Sequence, residues 1–152
     1  MNVLKKWKNI NMQELILLQG LPASGKTSWA KAFMKDNNDY IRVNKDDIRE
    51  YFRLNKYSKE SDIVVIETER VLAVNALSLG KSVIVDDTNF NQKYCQYWKD
   101  LASTASIQYT EKVFDTPVEE CIKRDSEREK SIGKDVILNM NEIRLKMKKS
   151  ES

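Results

Sequence analysis

The stretch Glu14-Leu15-Ile16-Leu17-Leu18-Gln19-Gly20-Leu21-Pro22-Ala23-Ser24-Gly25-Lys26-Thr27 decides how the rest of the sequence is read. Its short apolar run has the pattern of a buried strand. Gly20 and Gly25 punctuate the turn that follows. Trp29, Ala30, Phe33 and Met34 then recur at helical spacing, so the turn opens a helix. The block Gly20-x-x-x-x-Gly25-Lys26-Thr27 matches the Walker A phosphate loop and lies between a strand and a helix, where that loop must lie. Glycine allows backbone N–H groups to turn toward phosphate oxygens, and a helix N-terminus adds positive potential. Lys26 is expected to reach the β- and γ-phosphates, and the Thr27 hydroxyl to ligate Mg²⁺. The loop predicts nucleoside triphosphate binding and leaves the reaction open.

Working outward, Tyr40–Val43 reads as a second strand, 46–53 as a short helix, and 59–79 as a long helix with Ile63, Ile66, Ala73 and Leu77 along one side. A third strand is expected at 82–85, a helix at 92–103 and a fourth strand at 107–114. Thr116 and Pro117 suggest an N-cap and first helical residue for a helix running to about residue 129. A last helix over 135–148 places Val136, Met140, Ile143 and Met147 on one face. Short apolar strands alternating with helices predict an α/β domain: a parallel sheet of about four strands with helices on both faces. We place that domain at 14–152. Residues 1–13, with Lys5, Lys6 and Lys8 among apolar residues, read as a basic N-terminal arm.

The 152 residues are 41% hydrophobic and 32% charged, which suits one globular domain. The absence of histidine excludes Ser-His-Asp and Cys-His catalysis, histidine zinc sites and a histidine base. Proton transfer near neutral pH therefore falls to a carboxylate, Lys, Tyr or Cys. Cys95 and Cys121 lie far apart, which argues against a disulfide framework and for an intracellular, cytoplasmic protein. No apolar run is long enough to cross a membrane.

In open α/β sheets ligands collect at the carboxyl ends of the strands. Here those ends carry the phosphate loop, Asn44-Lys45-Asp46-Asp47, Asp86-Asp87-Thr88-Asn89 and Asp115-Thr116. The run Val83-Ile84-Val85-Asp86-Asp87 has the form of a Walker B acid. Asp46, Arg49 and Arg53 are spaced i, i+3, i+7, so a helix would put them on one face. A carboxylate beside two guanidinium groups suits a phosphorylated alcohol, because the acid accepts the hydroxyl proton while arginine holds a phosphate in its fork. Arg124 and Arg128, i and i+4 on the helix after Pro117, could close as a lid on a transferred phosphoryl group.

Four blocks carry a narrower likeness: residues 20–30 around the phosphate loop, Val43-Asn44-Lys45-Asp46-Asp47-Ile48-Arg49, Asp87-Thr88-Asn89-Phe90-Asn91, and Val113-Phe114-Asp115-Thr116-Pro117. Together they resemble the kinase domain of the bacteriophage-type polynucleotide 5′-hydroxyl kinase family, a P-loop kinase family, from about Glu14 to about Met147. The resemblance implies ATP and Mg²⁺ as cofactors, with Gly20, Ser24, Gly25, Lys26, Thr27, Ser28, Arg124 and Arg128 on the nucleotide and Thr27 on the metal. Lys26, Asp46 and Arg128 would be catalytic, with Asp46 the general base on the acceptor 5′-OH. Arg49 would bind the acceptor's 3′-phosphate and Asp87 would hold Arg49. Thr88 would line the acceptor pocket, and the i, i+3, i+7 spacing adds Arg53 as a substrate-binding residue. The partners implied are single-stranded DNA or RNA 5′-OH ends, no membrane, and a homo-oligomer.

The sequence departs from that family in carrying Ile132-Gly133-Lys134 where a Val-Pro pair follows the lid arginine. The Asp-x-Asp-Gly-Thr phosphatase motif of the phage enzyme is absent, so no 3′-phosphatase activity is expected. Two other functions fit the phosphate loop: a small-molecule hydroxyl kinase of the zeta-toxin or antibiotic-kinase type, and a non-catalytic NTP-binding module. The set Lys26, Asp46, Arg49, Asp87 and Arg128 favours transfer to a nucleic-acid end.

Overall fold

In the computed structural model, residues 12–54 and 57–151 are described; residues 1–11 of the expected basic arm lie outside them. The elements run β1 (Glu14–Gly20), α1 (Lys26–Asp36), β2 (Tyr40–Val43), α2 (Lys45–Tyr51), α3 (Lys59–Ser78), β3 (Ser82–Asp86), α4 (Gln92–Thr104), β4 (Gln108–Phe114), α5 (Val118–Ser126) and α6 (Lys134–Glu151). The four strands form one parallel sheet in the order β2-β3-β1-β4. Every residue of β3 is buried, as an inner parallel strand covered on both faces requires.

Alternation along the strands sends side chains to two cores. On one face Leu15, Leu17, Val83 and Val85 pack with Ala73, Ala76 and Leu77 of α3 and with Trp98 and Ala102 of α4. On the other, Ile16, Leu18 and Ile84 meet Ala30 of α1, flanked by Trp29, Phe33 and Met34. A third cluster joins Leu21 of the phosphate loop to Cys121 of α5 and Ile137 of α6. The loop is thereby fastened to the two C-terminal helices as well as to the sheet.

Several local expectations are corrected. In α3 the inward stripe is Ser61, Val65, Glu69, Ala73 and Ala76, and Ile63 is 53% exposed. Ala73 and Leu77 are buried as expected, whereas Glu69 puts a carboxyl group on the core-facing stripe, so apolarity alone misplaces the N-terminal half of the face. In α6 Ile137 is buried and Met140 packs beside it, while Val136 and Ile143 are exposed. The inner face keeps Met140 and Met147 but takes Ile137 and Arg144 in place of Val136 and Ile143, because Val136, Leu138, Ile143 and Leu145 leave apolar residues all around this helix. Thr116 does not cap α5: Pro117 takes the cap position without a side-chain bond, and the Thr116 hydroxyl donates to the Ser24 carbonyl at 2.9 Å. Finally α2 stops at Tyr51 and α5 at Ser126, each short of its expected end.

These corrections predict a contrast measurable by urea unfolding. Trp98→Ala should cost about 3–5 kcal/mol, the range for an aromatic deleted from a core. Ile63→Ala, at an exposed position, should stay within about 0.5 kcal/mol of wild type.

Candidate active site

The phosphate loop begins where β1 meets β4. Gly20 is opposite Phe114, and a Cβ at Gly20 would lie 2.7 Å from Ser24 Oγ and 2.9 Å from Phe114 Cβ. No side chain fits there. Gly25 adopts φ +103° as the N-cap of α1, a conformation open to glycine at little cost. No side chain caps α1 and its first turn holds no acidic residue, so its leading N–H groups are open to an anion. Ser24 is buried, Ser28 is exposed on the first turn, and the Gly20 N–H donates to the Thr88 carbonyl at 3.2 Å.

Lys26 is 7% exposed, and its Nζ donates to the carbonyls of Gly20 (2.9 Å) and Leu21 (2.8 Å). Burial pulls its pKa below the ordinary lysine value, while Asp86, Asp87 and Asp46 oppose the shift. The ammonium is thus held at the mouth of the loop by weak acceptors that phosphate oxygens can replace.

Asp86, at the carboxyl end of β3, is the hub of the donor side. Its Oδ2 accepts from Thr27 Oγ1 at 2.7 Å and from Arg42 Nε at 2.7 Å, and its main-chain carbonyl accepts from Asn44 Nδ2. Asp86 is 1% exposed, and its second oxygen, Oδ1, has no hydrogen-bond partner. A free buried carboxylate oxygen beside the Thr27 hydroxyl fits a Mg²⁺ site of the kind completed by nucleotide phosphates and water. Among the described residues no group of three or more His, Cys, Asp or Glu could hold a metal. Of the two acids the sequence offered after the third strand, Asp86 is the one that engages Thr27.

The acceptor side is built on α2. Asn44 caps it by accepting from the Asp47 N–H at 2.8 Å, and Asp47 takes an ion pair from Arg42 at 2.5 Å. Asp46 faces solvent, yet loss of hydration and the charge of Asp87 raise its carboxyl pKa above the aspartate value, against the pull of Arg49 and Lys26. Arg49 is largely covered, with 14% of its side chain exposed. Its Nη2 pairs with Asp62 of α3, and its guanidinium lies 4.3 Å over the Tyr57 ring. Its Nη1 is buried without a hydrogen-bond partner.

Two expectations about this side are corrected. Arg49 is held by Asp62; Asp87 instead accepts from the Lys45 N–H at 2.9 Å and lies 3.8 Å from Lys45 Nζ. Arg53 does not continue the face of Asp46 and Arg49, because α2 has ended; it is exposed in a turn with φ +55°. Thr88 is half-buried and contributes its carbonyl to the phosphate loop.

Beneath α2 lies an acid pair the sequence reading missed. Glu69 and Asp87 are 1% and 9% exposed, and Glu69 Oε2 and Asp87 Oδ2 both lack a partner. Burial and the neighbouring Asp87 push the Glu69 carboxyl far above its ordinary range. That shift favours the protonated carboxyl at Glu69, which leaves one negative charge in the pair facing Lys45, whose Nζ is 4.0 Å from Glu69. The available signal was Glu69 at i+4 from Val65 and i−4 from Ala73, an acid inside a core stripe.

On the lid, Asp125 is 1% exposed and accepts from Arg128 Nε (3.2 Å), Ser131 Oγ (2.7 Å), Ile132 N (3.1 Å) and Gly133 N (3.0 Å). Burial alone would raise its pKa, but these donors hold it well below the carboxylate range. Arg128, expected on the donor phosphates, is here engaged with Asp125. Arg124 is the arginine at the loop: its Nη1 donates to the Ala23 carbonyl at 3.4 Å and lies 3.9 Å from where a Gly25 Cβ would be.

A raised folded-state pKa at Glu69 means stability that is full below the unfolded value of about 4.3 and is lost as pH climbs. Wild type should therefore lose stability from about pH 5 into the alkaline range. Glu69→Gln, neutral at every pH, should flatten that slope in thermal unfolding scans.

Known proteins place this architecture. A family model described as an AAA domain matches residues 15–149. The L-seryl-tRNA(Sec) kinase of Methanococcus maripaludis is 36% identical over 132 residues, covering 84% of this chain and 51% of that protein. A protein of Autographa californica nuclear polyhedrosis virus, named as a bifunctional polynucleotide kinase/RNA ligase, is 27% identical over 76% of this chain and 18% of its own length. The chain thus spans about half of the first relative and under a fifth of the second. A chain of the Pnkp1/Rnl/Hen1 RNA repair complex superposes with a TM-score of 0.75 at 26% identity, covering 92% of this chain and 46% of that one. The Mycobacterium tuberculosis APS kinase CysC, at 20% identity and a TM-score of 0.62 over 76% of this chain and 70% of its own, shares the fold. With its phosphate loop, its β2-β3-β1-β4 sheet and a family match running through nearly the whole domain, the chain belongs to the AAA-domain family and has the P-loop kinase fold.

Proposed function

We propose that this domain transfers the γ-phosphate of ATP to the 5′-hydroxyl end of a polynucleotide, DNA or RNA. The observation that carries the reading is the pairing of Asp46 with Arg49 on one turn of α2. Asp46 interacts electrostatically with Lys26 of the phosphate loop, and Arg49 keeps a buried N–H free of any partner. A base and an unsatisfied fork donor side by side suit an alcohol that carries a phosphate nearby.

In this reading Lys26 and the N-terminus of α1 hold the β- and γ-phosphates, and Arg124 approaches from the lid. Arg128 would join only by leaving Asp125. Thr27 and Asp86 hold Mg²⁺, which neutralises charge on the phosphate oxygens. Asp46 takes the proton from the attacking hydroxyl. Arg49 Nη1 donates to the phosphate on the 3′ side of the reacting nucleoside, while Asp62 and Tyr57 keep its plane fixed.

A second reading, phosphorylation of a serine hydroxyl carried on tRNA, is favoured by the 36% identity over 84% of the chain. The two part on the 3′-phosphate: a nucleoside 3′-monophosphate should be an acceptor under our reading, and the bare nucleoside a poor one. Arg49→Ala should cost about 1.5–3 kcal/mol in kcat/KM for the phosphorylated acceptor and leave the KM for ATP nearly unchanged. Equal wild-type rates on the two acceptors would transfer the case to the seryl or small-molecule hydroxyl.

Asp46→Asn should lower kcat by about 10²–10⁴-fold with ATP binding retained. Because the base must be ionised and its pKa is raised, the acid limb of the wild-type pH–rate profile should lie above the ordinary aspartate value. Lys26→Ala should abolish turnover and weaken ATP binding, measured by calorimetry alongside the assay.

A further inference from the structure

Three exposed aromatic side chains follow the acceptor arginine in the chain, and none of them belongs to a core cluster. Tyr51 and Tyr57 are 83% and 77% exposed, and Phe52 is 46% exposed. Tyr51 and Phe52 close the helix that carries Arg49, with their rings edge to face at 5.3 Å. Tyr57 stacks on the Arg49 guanidinium itself. Rings this exposed bury little on folding, and their grouping within seven residues suits a ligand with flat apolar faces. Cations accompany them: Arg49 with its free N–H, and Arg53 exposed in the turn after α2. Aromatic faces interleaved with arginines are what single-stranded nucleic acid binds, each base having a π-face and each linkage a phosphate.

We propose that Tyr51, Phe52 and Tyr57 form a stacking platform for the nucleobases of a single strand, continuing from the nucleotide whose phosphate Arg49 holds. This rests on the acceptor assignment made above and extends it: the substrate class becomes a single strand several nucleotides long. A mononucleotide would fill only the Arg49 end. A hydroxyl presented at the end of a base-paired stem, whose bases are already stacked, could not use the rings.

Two measurements test it. In the first, fluorescence anisotropy of a labelled oligothymidylate follows binding to the intact protein, with no turnover. Base stacking on an aromatic ring is worth about 1–3 kcal/mol per base, so Tyr51→Ala should raise Kd roughly 5- to 150-fold, and Tyr51→Phe should restore wild-type binding. Tyr51 is too exposed for its loss to threaten the fold, and Phe52→Ala gives an independent second variant. In the second, the ratio of kcat/KM for a 5′-OH oligonucleotide to that for a nucleoside 3′-monophosphate should fall by the same factor in both variants. An unchanged Kd and an unchanged ratio in both variants would overturn the platform and leave the rings as a contact for a protein partner. Failure of the wild type to phosphorylate either acceptor would instead defeat the kinase assignment, which the binding measurement does not depend on.

Discussion

The carboxylate of Asp86 is the constraint on which the site depends. It is buried at the end of the inner strand β3, where a lone charge would be too costly to keep. Its partners come from three elements: Thr27 from α1, Arg42 from β2, and Asn44, the cap of α2, on its carbonyl. Arg42 in turn reaches Asp47 on α2. A single desolvated charge therefore ties the nucleotide side to the acceptor side. Removing it would loosen the first turn of α1 and the entry of α2 together. The oxygen it leaves unpaired, next to Thr27, is where the chemistry of a divalent cation fits.

The acceptor helix shows how the fold manages like charges in a chain without histidine. Asp46, Asp47, Asp86, Asp87 and Glu69 gather at the ends of β2 and β3, and full ionisation of all five would repel strongly. Arg42 offsets Asp47 and Asp86, and Lys45 lies beside Asp87 and Glu69. Protonation of Glu69 removes one charge from the buried pair. Loss of hydration, with the charge of Asp87, then raises the Asp46 carboxyl, the direction that suits a general base.

Much of this was legible in the sequence, and the losses have physical causes. The phosphate loop is set by local backbone demands, such as the positive φ at Gly25, and local demands show in residue identity. Tyr40–Val43 is bounded as its apolar pattern suggests. Helix faces were less legible. Glu69 lies on the core stripe of α3 while Ile63 lies outside, and α6 offers apolar residues in every direction. Partners distant in sequence were the least legible. Asp62 holds Arg49 from another helix, and Asp87 holds Lys45 across 42 residues. A motif names the residues that meet a ligand, whereas their holders are chosen by packing.

The central claim is that the acceptor hydroxyl is the 5′ end of a nucleic-acid strand. It is tested most directly by supplying γ-labelled ATP and Mg²⁺ to the purified protein with a mixture of 5′-OH DNA and RNA oligonucleotides and seryl-tRNA, then mapping the label. The account predicts label on the 5′-terminal oxygen of the oligonucleotides, released by a phosphomonoesterase as inorganic phosphate. Label confined to the seryl group, or ATP bound with no transfer to any acceptor, would contradict it.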